Sequence, residues 1–168
     1  MHERILHFWF EELTPKDWWA KDPKLDALIA QRFGGLLARA AQCELFAWRA
    51  SARGRLAEVI VLDQFSRNIH RDTPAAFACD PLALALAQEA VARGDDQALP
   101  PVQRAFLYLP FMHSESPEIQ KISVALYEQN GLEDNLDFAR RHQAIIERFG
   151  RYPHRNEILG RASTAEEI

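Results

Sequence analysis

A chain of 168 residues with 48% hydrophobic and 26% charged side chains has the size and balance of one folded domain, which excludes disordered, collagen-like and fibrous classes. A formal net charge of −4 and a pI near 5.9 lack the basic excess that nucleic acid demands, so no nucleic-acid partner is expected. No apolar stretch approaches the roughly eighteen residues of a membrane span, and "MHERILHFWF" lacks a basic n-region followed by a small-residue cleavage site; the expectation is a cytoplasmic protein without membrane contact.

In chain order, the dominant local signal is a capping side chain followed by proline. It occurs at Thr14-Pro15, Asp22-Pro23, Thr73-Pro74, Asp80-Pro81 and Ser116-Pro117. The side-chain oxygen accepts an unpaired N–H of the first turn, and proline at the first helical position has no N–H to strand. Each pair predicts a helix start. After Asp22-Pro23, Leu25, Leu28, Ile29, Phe33, Leu36 and Leu37 recur at helical spacing. "EVIVL" is rich in β-branched residues, but one strand without partners makes no sheet, so it reads as the buried middle of a helix from about Arg55 to about Ile69. Gly94 closes the segment opened by Asp80-Pro81. The helix beginning near Pro101 is expected to kink or restart at Pro110, which removes a donor and clashes one turn back. Ile119, Ile122 and Leu126 lead to Gly131, and Phe138, Ile145 and Phe149 lead to Gly150, with Gly160 a further stop. "STAEEI" has the pattern of a capping box opening another helix. The sum is one all-α domain over residues 1–168, with eight or nine short helices packed as antiparallel hairpins.

Trp9, Trp18, Trp19 and Trp48 read as core. Cys43 and Cys79, the only cysteines, sit in apolar helix-like contexts and read as small buried hydrophobes.

Four stretches carry polar chemistry. In "VLDQFSRNIHRD", Asp63 and Arg67 are four residues apart on one helix face, as are Gln64 and Asn68, with Arg71 beyond. Stepping back from Asp63 by three and four reaches Ile60, Val59 and Leu56, so the ion pair continues an apolar stripe and faces the interior or a cleft. There each charge needs a partner, because desolvation costs several kcal/mol per ion. Both a structural salt bridge and a ligand-facing role satisfy that demand. His113 and Glu115 in "HSE" follow the proline break, a helix end that gives them a defined direction. His142 shares the apolar face of Phe138, Ile145 and Phe149 and reads as a core histidine. In "FGRYPHRNEILGR", Arg151, His154, Arg155 and Asn156 crowd a turn at a helix start, an arrangement suited to an anion, either a bound one or an internal carboxylate such as Asp63 or Glu115.

No metal or other cofactor is expected: there is no HExxH pair, and the arginines repel cations. A serine-hydrolase elbow, a phosphate-cradling glycine loop and a dinucleotide fingerprint are also lacking.

Taken together, "FWF", "LDQFSRNIHRDTPAAFACD", "FLYLPFMHSE" and "ARRHQAIIERFGRYPHRNEILGRAST" resemble the bacterial domain-of-unknown-function family nine-twenty-four over nearly the whole chain. The resemblance implies a tetratricopeptide-like right-handed superhelix of stacked antiparallel helix pairs, and it carries no activity with it.

The expectation is that "DQFSRN", "HSE" and "GRYPHRN" converge into one pocket. By fold analogy a binding module leads, for a small anionic molecule or an acidic peptide end held by Asp63, Gln64, Arg67, Asn68, Arg71, Arg151, His154, Arg155 and Asn156. An enzyme is the alternative, with His113 or His142 as general acid or base beside Glu115 and with Arg67 or Arg155 on the substrate. A purely structural ion-pair network is the third reading.

Overall fold

A computed structural model describes residues 1–168, and its regular structure is helical throughout. From the amino terminus run α1 (His2–His7), continued by a π-helical stretch Phe8–Glu12, then α2 (Pro15–Trp19), α3 (Pro23–Ala41) and α4 (Ala52–Ile60). A second π-helical stretch, Val61–Phe65, joins α4 to α5 (Ser66–Ile69) without a break. There follow α6 (Asp80–Arg93), α7 (Pro101–His113), α8 (Pro117–Asn130), α9 (Glu133–Phe149) and the short α10 (Asn156–Leu159).

Three of the five proline-linked starts work as expected. Asp22 accepts from the Lys24 N–H at 2.9 Å, Ser116 from that of Ile119 at 3.4 Å, and the Thr14 N–H donates to Asp17 at 2.8 Å. The other two differ. Thr73-Pro74 opens only the 3-10 turn Pro74–Ala76, the threonine hydroxyl donating back to His70 O at 2.7 Å. Asp80 is the first residue of α6 and not its cap, because its carboxylate is taken by Arg67. The four glycine stops hold: Gly94, Gly131, Gly150 and Gly160 all have φ between 68° and 78°, a region hostile to a Cβ.

The "EVIVL" helix lies at the centre. Leu56, Ala57, Val59, Ile60, Val61 and Leu62 are all buried, and α1, α6 and α7 pack around α4. A helix enclosed on every side needs no amphipathic stripe, which is why its sequence mimics a buried strand. Glu58 on this helix is buried too, and Arg49 meets it with two hydrogen bonds of 2.9 and 2.8 Å. Phe8, Trp9, Phe33, Phe65 and Phe106 join the core through ring contacts of 5.1 to 6.2 Å.

Several expectations need correction. The α7 helix does not restart at Pro110 but continues to His113, with Pro110 itself buried in the packing. Trp19 is 61% exposed and Phe138 51% exposed, while Leu28 and Ile122 also reach solvent, since each lies at the margin of its helix's apolar face. Cys43 is exposed, with φ 62° in the turn after α3, where no core element covers it; Cys79 is half-buried. Pro74–Arg93 is long and apolar enough to pass for a membrane span by composition, with mean hydropathy 1.3, yet turns divide it and α6 packs on α4 and α7. At "STAEEI" the capping-box bonds form, Thr164 N–H to Glu167 at 2.8 Å, and a turn follows them, not a helix.

Candidate functional site

The π-helical stretch is what aims the first polar group. By widening one turn it carries Asp63 into the interior, where the residue is 1% exposed. Its Oδ1 receives Arg67 Nη1 at 3.1 Å and His113 Nδ1 at 2.7 Å, and its Oδ2 receives Gln64 Nε2 at 2.8 Å. Burial pushes the Asp63 carboxyl up, but the charges of His113 and Arg67 and the hydrogen bonds from His113 and Gln64 outweigh it and hold the group at about 2. Since an ionised carboxylate only accepts, the His113 proton lies on Nδ1, and Nε2 makes no hydrogen bond within the protein.

Arg67 bridges two acids. Besides Asp63 it holds Asp80 at the start of α6 through a fork of 2.7 and 2.9 Å. Arg155, from the turn before α10, approaches the same Asp80 only to 4.0 Å. Its guanidinium is sandwiched between the rings of Phe77 (4.5 Å) and Tyr152 (4.7 Å) and donates to His113 O at 3.0 Å. Arg155 is 6% exposed, and its buried Nε has no partner. Burial and the nearby Arg67 charge both depress its pKa.

Glu115 is held differently. It accepts two hydrogen bonds from Arg161, at 2.9 and 3.1 Å, and one from the Tyr152 N–H at 2.6 Å, pinning the carboxy-terminal turn to the end of α7. Tyr152, fully buried, adds a second pin: its hydroxyl donates to Met112 O and accepts from Gln120 Nε2 at 2.8 Å.

Asp80, His113, Glu115 and Arg155 line one cavity of about 430 Å³, whose remaining wall includes Phe77, Leu84, Pro110 and Leu159. Within hydrogen-bond reach behind it lie Asp63, Gln64 and Arg67. So "DQFSRN", "HSE" and "GRYPHRN" do meet, but not with every residue expected. Asn68 on α5 and Arg71 in the turn after it turn away from the cavity and bind Asp26 on α3, at 2.8 Å for Asn68 and at 2.7 and 3.1 Å for Arg71. Arg151 pairs with Glu167 and Ala162 O near the surface. Asn156 is consumed by Ser163 and Arg161, while His154 is exposed and leans on Tyr152. His142 is half-buried on α9, its Nδ1 donating to Phe138 O at 2.7 Å; it lines a second cavity together with His113 and not the first. Burial lowers its pKa, as do His113 and Arg155.

Sequence reasoning missed Asp80, Tyr152, Phe77 and Arg161. Asp80 looked like a cap, and only its distance of 13 residues from Arg67 across a turn-rich stretch hinted otherwise. Nothing local marks an aromatic ring as the platform for a guanidinium.

With this geometry in hand, the comparisons with known proteins place the chain. It belongs to the family described as bacterial protein of unknown function (DUF924), which matches residues 5–168. It is similar to a solved structure, the protein of unknown function ATU0120 from Agrobacterium tumefaciens, with 42% sequence identity and a TM-score of 0.94 over 99% of this chain and 93% of that one. Comparison with curated proteins returned no match.

Proposed function

We propose that the protein is a binding module whose 430 Å³ cavity takes a small anionic ligand, a carboxylate or phosphate compound or the acidic end of a peptide, at Arg155. The observation that supports this is the state of that guanidinium. It is buried among aromatic rings with one donor unpartnered and its nearest carboxylate at 4.0 Å, although an ion in that setting costs several kcal/mol unless paired. Arg67, by contrast, is saturated by Asp63 and Asp80 and serves to fix the wall. A ligand oxygen at Arg155 would complete the pairing, and Phe77, Leu84 and Leu159 would cover its apolar part.

A tetratricopeptide-like superhelix belongs to the same proposal. It is supported by the succession in which α7 packs on α8, α8 on α9, and α7 also touches α9. So does a cytoplasmic setting, with which two unpaired cysteines, one of them exposed, agree.

The test is thermal melting with inorganic phosphate, sulfate and succinate. At least one should raise the melting temperature of the native protein and fail to raise that of a folded Arg155→Gln variant. No shift with any of the three, or an equal shift in the variant, would remove the reading. An enzymatic reading has one specific observation in its favour: the buried Asp63 carboxylate orients His113 and leaves Nε2 free, the arrangement of a general base. Turnover lost in His113→Gln with ligand affinity retained would decide for it.

A further inference from the structure

The second cavity differs in kind from the first. It measures about 520 Å³ and lies between α2, α7 and α9, lined by Trp19, Leu109, Met112 and Phe138 and by His113, His142, Asp134 and Asn135. No lysine or arginine lines it. We propose that it binds a protonated amine carrying an aromatic or alkyl body.

Three observations carry this. First, the apolar walls are unusually open to water. Trp19 is 61% exposed and held flat against Phe106 (ring centroids 5.8 Å apart, interplanar angle 9°), and Phe138 is 51% exposed. Leu109 and Met112 form buried wall behind them. Rings left bare around a cavity give a cation π faces and an apolar body a dry surface. Second, the lining carries hydrogen-bond acceptors and no lysine or arginine. His142 commits its Nδ1–H to Phe138 O at 2.7 Å, so that its Nε2 presents a lone pair, while His113 is turned to Asp63 through Nδ1 at 2.7 Å. Burial and the nearby His113 and Arg155 further disfavour a charge on His142. Third, Asp134 is the one carboxylate of the lining, and it takes part in no ion pair. An ammonium supplies what this set lacks: a positive charge for Asp134, an N–H donor for the His142 imidazole and a cation for the rings. A carboxylate ligand would meet repulsion from Asp134 and an acceptor at His142 Nε2. The proposal is independent of the anion reading at Arg155, because the two cavities share only His113.

The experiment follows the Trp19 indole N–H resonance of ¹⁵N-labelled protein, assigned with Trp19→Phe, during titration with 2-phenylethylammonium, 2-phenylethanol and phenylacetate. The ammonium should shift it saturably, with at least tenfold higher affinity than phenylacetate. Asp134→Asn, a change at an exposed site, should weaken ammonium binding at least fivefold and leave phenylethanol within twofold. Absence of a Trp19 shift with the ammonium, phenylacetate binding as tightly, or an undiminished preference in Asp134→Asn would each overturn the proposal. Phosphate binding at Arg155 can succeed or fail without altering these outcomes.

Discussion

Asp63 Oδ1 and His113 Nδ1 stand 2.7 Å apart although 50 residues separate them in the chain. This contact ties the end of the central helix to the end of α7. Because Arg67 and Gln64 complete the carboxylate's partners, the four side chains stand or fall together.

Arg67→Met tests that coupling. It leaves Asp63 and Asp80 without their shared cation, and removing one partner of a buried ion pair costs about 3–5 kcal/mol. Urea denaturation should show a loss of that order. A loss below about 1 kcal/mol would mean that water, and not Arg67, compensates the two acids.

Acid should unfold the protein partly through Asp63. Its folded pKa is held at about 2, below the ordinary 3.8, so the unfolded state binds its proton more readily. The stabilisation is fully present above about pH 5 and is lost progressively as the pH falls toward 2. Asp63→Asn should flatten that part of the stability profile, measured as the urea midpoint between pH 2 and 5.

His142 works in a neighbouring window with the same sign. Its depressed pKa means that the neutral ring is favoured on folding, so its contribution is present above the ordinary 6.5 and declines as the solution is acidified through the folded value. Proton NMR titration of the imidazole Cε1–H should place its midpoint below 6.5.

Gly54→Ala should be among the most damaging small substitutions. A Cβ there would overlap the Trp48 carbonyl oxygen and lie 2.9 Å from its carbon, both backbone atoms unable to retreat like a side chain. A loss of about 2–3 kcal/mol, with the far-ultraviolet signal of a helical fold retained, is the expected result.

Tyr152→Phe keeps the ring under Arg155 and deletes the hydroxyl that joins Met112 O and Gln120. The expected cost is about 1–3 kcal/mol, from buried partners left unsatisfied. Calorimetric melting would check it. No change would show that Gln120, already bonded to Met112 O and Ser114 O, absorbs the loss.

How far the sequence could be read depends on whether a signal is local. Asp22, Ser116 and the stop at Gly131 act within one turn of themselves, and those boundaries were legible. "EVIVL" was legible as helix only by elimination, since enclosure by α1, α6 and α7 erases the usual periodicity. The polar stretches were legible as charges that need partners, but a sequence does not say which partners. Asn68 and Arg71 looked equivalent to Asp63 and Arg67, yet they found Asp26 some 40 residues upstream. Glu115 looked reactive and is a clasp for Arg161. Those pairings are decided by the crossing of helices, a property of the assembled fold.

The wide turn at Val61–Phe65 sets the angular phase of everything after it. Winding the same residues at the ordinary 3.6 per turn would swing Arg67 by roughly 90° about the axis. Arg67 would then point away from Asp80, and the chain would lose its grip on α6 without a single charge having been altered. Spacing at this point matters as much as side-chain identity.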